Sequence, residues 1–199
     1  MEMEFTKEKI KLNKVLSVLD EFVIDFITML NELEIKYVII SGYVVLLFGS
    51  ARITEDVDIF LEELDENKLK RLFEKLEGKY WIINAGSFNT AKDLYNNGDA
   101  WRVSRKDEIF PNMEIKKPKT LFDFTSLNHP IKVFLNQKNE INISPLELQI
   151  AFKLKLGSHK DLEDARYLYD LFKNNLDKKT LEAFAKELRV LDKLTMLVP

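Results

Sequence analysis

Asp56 and Asp58 stand two residues apart in the segment TEDVDIFL at positions 54–61, with Val57 between them and Ile59 after. In an extended strand, residues two apart share a face. The two carboxylates are therefore set side by side, while Val57 and Ile59 enter a core on the other side. Neighbouring carboxylates repel, and a fold has reason to keep the arrangement when a cation sits between them. Just upstream, the apolar run Tyr37-Val38-Ile39-Ile40 breaks at Ser41-Gly42 and continues through a short apolar segment to Gly49. A loop leading into a helix offers backbone N–H groups to an anion. A cation site beside an anion site suits a metal–phosphate ligand. The plainer reading, a solvated edge strand, stays open on spacing alone.

The elements that must hold this stretch follow from periodicity. Residues 5–34 carry apolar side chains at helical spacing, which predicts one long helix or two short ones. Strands are predicted at 37–40, 54–61, 80–83, 100–104, 112–116, 131–135 and 141–143, and a short buried helix at 43–48. Residues 66–76 form an amphipathic helix closed by Gly78, and Thr90 caps a short helix over 90–95. Residues 119–125 fit a strand or a helix equally. From Ser144 the period is helical: Ser144-Pro145 with Glu147 three residues after the serine opens a helix running to about 156. Two more helices are predicted at about 160–173 and 178–188. The division this gives is a core over 1–143 and a C-terminal helical part over 144–199.

Composition narrows the chemistry. The 46% apolar and 32% charged fractions are those of a globular protein, and 199 residues suffice for one good core. With no cysteine, disulfides and thiolate metal sites are excluded. His129 and His159 are far apart, which argues against a histidine-rich zinc site and for two surface polar residues. Charges throughout the first 35 residues fit neither a signal peptide nor a membrane span, so a cytoplasmic setting is expected. The net charge of −3 is uneven: residues 1–100 hold 12 Lys+Arg against 19 Asp+Glu, and residues 101–140 hold 8 against 5. Such a chain is no polybasic nucleic-acid binder. A local basic rim beside the acidic stretch, or a merely solvated lysine-rich edge, both fit the middle segment.

The segment SGYVVLLFGSARITEDVDIF resembles the signature of the DNA polymerase beta-like nucleotidyltransferase superfamily, and most of all its small prokaryotic branch that includes the AbiEii-type toxins. Gly42, Gly49, Arg52, Thr54, Asp56 and Asp58 match the pattern, while Ser41 stands where the first glycine of the pair is usual. Met113-Glu114-Ile115 resembles the strand that supplies a third carboxylate, with glutamate where aspartate is commoner. Pro145, Glu147, Lys153, Leu154, Asp161, Leu162 and Asp164 match the branch's C-terminal helical pattern. The likeness spans about residues 37–168.

What the resemblance implies is an α/β (α+β) fold: a small mixed, twisted sheet flanked by helices, with a C-terminal helical bundle. It implies transfer of an NMP unit from an NTP to an acceptor hydroxyl, with Asp56, Asp58 and Glu114 as catalytic residues and as ligands of two Mg²⁺ ions, Mn²⁺ substituting. Ser41, Gly42, Arg52, Thr54 and Lys153 are the implied nucleotide contacts. Each has a plainer alternative: Arg52 pairs with Glu55 or Asp56, Lys153 snorkels, and Asp161 and Asp164 favour a helix start. Asp107, Glu108 and Asp123 rival Glu114 as third carboxylate. An RNA, a protein or a small molecule would be the acceptor. Two other functions compete: a degenerate member that binds nucleotide without turnover, and the toxin of a toxin–antitoxin pair acting on tRNA with a cognate antitoxin as partner.

Overall fold

Alternation of period two sets the strands, and one of them lies where helical spacing was expected. In the computed structural model, which describes residues 2–6 and 9–197, Glu2–Phe5 (β1) and Lys9–Asn13 (β2) form an antiparallel pair. Ile10 and Leu12 point inward from β2 and are fully buried, with lysines and Asn13 outward. Helix α1 (Val18–Glu32) starts later than predicted, at a capping box in which Ser17 and Asp20 bond each other's backbone N–H.

The remaining strands are β3 (Tyr37–Ile40), β4 (Asp56–Leu61), β5 (Tyr80–Ile82), β6 (Trp101–Arg105), β7 (Asn112–Lys116), β8 (Ile131–Leu135) and β9 (Asn139–Ile143). Among the described residues they make one mixed nine-stranded sheet in the order β1-β2-β8-β9-β3-β4-β7-β6-β5. The fold is α+β, with a sheet larger than expected because the unpredicted β1 and β2 extend it beyond β8 on one side. At its centre β4 runs antiparallel to β3 and parallel to β7.

Helices α2 (Gly42–Leu47), α3 (Glu66–Leu76) and α4 (Phe88–Asn97) connect the central strands, and α5 (Leu121–Asn128) resolves the ambiguous segment as helix. Thr120 and Asp123 cap α5 reciprocally, which decides the matter in favour of helix. The C-terminal part holds α6 (Leu146–Leu156), α7 (His159–Phe172), α8 (Lys178–Glu187) and an unanticipated α9 (Leu191–Leu197). Leu146, Ile150 and Leu154 of α6 and Leu168 and Phe172 of α7 join the same buried cluster as the sheet residues Val57, Ile59 and Met113. No helix among the described residues is long and apolar enough to cross a membrane.

One buried carboxylate ties three of these elements together. Asp20 is 1% exposed, accepts from the Ser17 N–H at 2.8 Å and pairs with the Lys14 ammonium at 2.9 Å. It also accepts from the Tyr43 hydroxyl of α2 at 2.9 Å. Burial by itself would raise the Asp20 pKa, but the Ser17 hydrogen bonds and the Lys14 charge outweigh it and hold the carboxyl below its ordinary 3.8. The native state therefore resists protonation at a pH where the unfolded chain already binds the proton. The stability Asp20 adds is complete above the ordinary value and is lost as pH falls through the native one. Asp20→Asn is expected to cost about 1–3 kcal/mol at pH 7 and to lose less further stability than the wild type on acidification, as urea melts at pH 7 and pH 3 would measure.

Candidate active site

The register of three strands brings the acidic residues together. Asp58 lies opposite Glu114 across the parallel β4–β7 pair, and Asp56 lies opposite Asn112. Partners in register share a face, so Asp56, Asp58 and Glu114 line the same side of the sheet, with Val57 and Ile59 buried on the other. The next strand adds Arg102, the register partner of Glu114 on β6. All three carboxylates stay partly open to solvent, at 46%, 20% and 26% side-chain exposure. The rival Asp123 lies on α5 rather than on the sheet, and its carboxylate caps that helix, accepting from the Lys119 and Thr120 N–H groups at 2.9 Å each.

Hard carboxylate oxygens on neighbouring strands are the donor type that a divalent cation such as Mg²⁺ takes, so in type and position the residues fit the implied metal. Their side chains are meanwhile engaged with the chain's own donors. Lys116, two residues beyond Glu114 on β7, binds Asp58 through a short contact and Glu114 at 3.1 Å. Burial lowers its pKa, but the two carboxylates prevail and raise it above the ordinary lysine value. Asn112 donates to Asp56 at 2.5 Å, and Arg102 stands 3.9 Å from Asp56 and 3.7 Å from Glu114. Among the described residues no three acidic or histidine side chains converge as a metal cage. Lys116, Arg102 and Asn112 were missed in the sequence, although Asn112 and Lys116 flank Glu114 at the two-residue spacing that marks one strand face.

The turn before α2 has an unusual backbone. Ser41 sits at φ 62°, ψ −132°, a region that glycine favours, at the place where a glycine is usual. Its carbonyl accepts from the Gln149 side chain of α6 at 2.9 Å. Gly42 leaves room for a side chain packed close to it. A Cβ there would lie 3.0 Å from the Arg52 guanidinium, which lies against the turn. Tyr43 points away into the core and is 1% exposed. Thr54 donates from its hydroxyl to the Asp56 carbonyl at 3.3 Å, bracing the entry to β4.

Arg52 and Lys153 belong to one ion lattice joining this loop to the C-terminal helices. Arg52 pairs with Asp164 of α7 through a short contact. Lys153 of α6, 3% exposed, bonds Asp161 and Asp164 at 2.9 Å each. Burial would raise the Asp161 pKa, but hydrogen bonds from Lys153 and Ser158 keep it below the ordinary value. The pairing departs from both plainer readings for these cations: Arg52 finds its carboxylate on Asp164 rather than on Glu55 or Asp56, and Lys153 is buried between two carboxylates rather than snorkelling.

Beside the carboxylates lies a cleft of about 220 Å³ between the sheet, α5 and α6. Asp58, Lys116, Ser41 and Lys153 are among its polar lining residues, and Phe60, Phe122 and Phe152 among its apolar ones. Of the residues singled out in the sequence, Asp58, Ser41, Lys153 and the rival Asp123 line this cleft and Asp56 and Glu114 do not, while Arg52 faces a separate concavity with Asp164 and Tyr167.

No family model matches the sequence, and no curated protein matches it. Solved structures do. An antigenic nucleotidyltransferase-like protein from Paracoccidioides brasiliensis superposes with a TM-score of 0.52 over 88% of this chain and 89% of its own, at 17% identity. The antibiotic-resistance factor ANT(2'')-Ia superposes with a TM-score of 0.54 over 89% and 93%, at 11% identity. The chain thus has the fold found in nucleotidyltransferases.

The ion lattice makes a direct prediction. Lys153→Met leaves two carboxylates with less compensation and is expected to lower stability by about 3–5 kcal/mol. A double-mutant cycle with Asp164→Asn in denaturant should return a coupling above about 0.5 kcal/mol.

Proposed function

We propose that this protein is a nucleotidyltransferase that moves an NMP unit from an NTP to an acceptor hydroxyl. The observation that carries the reading is the row formed by Asp58 and Glu114 across β4 and β7, with Asp56 on the same face, and with Asp58 lining the cleft that Ser41 and Lys153 also line. The resemblance of residues 37–168 to the superfamily and the fold shared with nucleotidyltransferases both support it.

In this reading Asp56, Asp58 and Glu114 would hold two Mg²⁺ ions, or Mn²⁺ in their place, with Glu114 serving the ion that activates the acceptor. When bound, such ions polarise the phosphoryl oxygens, lower the pKa of a bound hydroxyl and offset the charge of the leaving group. The chain's own groups do the rest. The turn at Ser41-Gly42 and the Lys153 ammonium hold the triphosphate, Arg52 and Thr54 keep the loop in place around it, and Phe60, Phe122 and Phe152 offer faces for a base. The acceptor oxygen bonds to the α-phosphorus and the bond from that phosphorus to the β-phosphate oxygen breaks. Pyrophosphate leaves, and the hydroxyl proton passes to Glu114, which is open to solvent.

The acceptor is drawn from RNA, protein or small molecules. Resemblance to the AbiEii-type branch favours RNA, with the protein as a toxin whose antitoxin partner silences it, and the antibiotic-resistance neighbour motivates the small-molecule arm. A second reading, nucleotide binding without transfer, is favoured by Ser41 at a glycine position and by the cations engaging the carboxylates. One experiment separates these. With Mg²⁺ or Mn²⁺ and labelled NTPs, the wild type is expected to label one fraction among total RNA, protein and small hydroxyl compounds, and Asp58→Asn to lose at least about a hundredfold of that rate. NTP binding with no label in any fraction would establish the second reading instead. Growth arrest on expression, relieved by Asp58→Ala, would mark a toxin.

A further inference from the structure

Lys116 occupies a position that its strand alone does not dictate. Its register partner on β4 is Phe60, yet its ammonium reaches back along the strands to Asp58 and Glu114. One nitrogen is thus shared by carboxylates from two adjacent strands, which is where a bridging divalent ion would have to sit. Arg102 faces the same group from β6, but at 3.7 and 3.9 Å, and its buried Nε has no hydrogen-bond partner. Of the two cations, Lys116 therefore makes the closer contacts.

Chemistry fits the part. Three carboxylates on one face repel, and a partly dry site raises the cost of leaving them unpaired. An ammonium is a compact charge with three donors on a flexible stem, so it can satisfy two carboxylates and still move away. A divalent ion seated between Asp58 and Glu114 would take the place of the ammonium and repel its charge. Lys116 also lines the cleft with Ser41 and Lys153, so an ammonium that leaves the carboxylates stays among groups suited to phosphate.

We infer that Lys116 is the internal counter-cation of this site: it stands between Asp58 and Glu114 in the nucleotide-free protein and must leave for a divalent ion to enter. The inference rests on the reading that these carboxylates hold a metal. It makes the free protein a weak metal binder by construction, and it makes Lys116 a positioning residue rather than a metal ligand.

The test is the Mn²⁺ affinity of the nucleotide-free protein, followed by the electron paramagnetic resonance of free Mn²⁺. Lys116→Met and Lys116→Gln are each expected to bind Mn²⁺ at least tenfold more tightly than the wild type. Lys117→Met, whose lysine pairs with Glu63, should match the wild type. Adding Asp58→Asn to Lys116→Met should abolish the gain. On the wild type itself, saturating Mn²⁺ should speed acetylation of Lys116, mapped by mass spectrometry, several-fold over Lys117, which keeps the inference testable should the variants not fold. Unchanged or weaker binding in both Lys116 variants, or an acetylation rate indifferent to Mn²⁺, overturns the inference. If the wild type meanwhile binds Mn²⁺ and Asp58→Asn does not, the nucleotidyltransferase reading survives. If no form binds Mn²⁺ even with a non-hydrolysable NTP analogue beyond what the analogue itself takes, both fall.

Discussion

The centre of the molecule depends on how β7 lies beside β4: parallel, in register, with Glu114 opposite Asp58. Parallel strands need a long crossover, and the chain spends residues 62–111 on it, returning through α3, β5, α4 and β6. A slip of one residue in that pairing would turn Glu114 into the core and Ile115 out of it. The buried Met113 and Ile115 prevent the slip, because each would exchange a place in the core for solvent. Apolar packing on one face of the sheet thereby fixes the electrostatics of the other.

A second constraint acts from a distance. The loop between α2 and β4 has little regular structure of its own, and it is fixed by groups over a hundred residues away in sequence. Arg52 reaches Asp164, Asp164 shares Lys153, and Gln149 of the same helix holds the Ser41 carbonyl. Helices α6 and α7 therefore do more than cover the sheet. They set the shape of the turn from which β4 starts, so a change in helix packing would be felt at the carboxylates.

The strand carrying Asp56 and Asp58 and the strand carrying Glu114 were legible because a sheet with one buried face writes its alternation into the sequence. The place where α6 opens was legible at Ser144-Pro145, but the expected capping box does not form: Pro145 itself is the cap residue, the Ser144 hydroxyl bonds that of Ser126, and Glu147 accepts from the Asp177 N–H. Strands β1 and β2 were not. Ile10 and Leu12 are two apart, but they run into the apolar positions of α1 within a few residues, and a strand of five residues is too short to show its own period there. The role of Lys116 was hidden for a different reason. Its contact with Asp58 spans two strands that lie 58 residues apart, and no local pattern encodes a cross-strand reach. Arg52 was noticed with the right residue type, but its partner lies on a helix that sequence spacing cannot place beside it.

The ion lattice of Arg52, Asp164, Lys153 and Asp161 also divides space. On one side lies the cleft beneath α5 and α6, and on the other the concavity with Tyr167. This partition is built from paired, largely buried charges, so moving any one of them out of place would leave another without its partner. The two hollows are thus separate rooms with a shared wall: Phe122, Phe152 and Leu156 stand with Asp58 in the first, and Lys160, Arg166 and Tyr167 stand in the second.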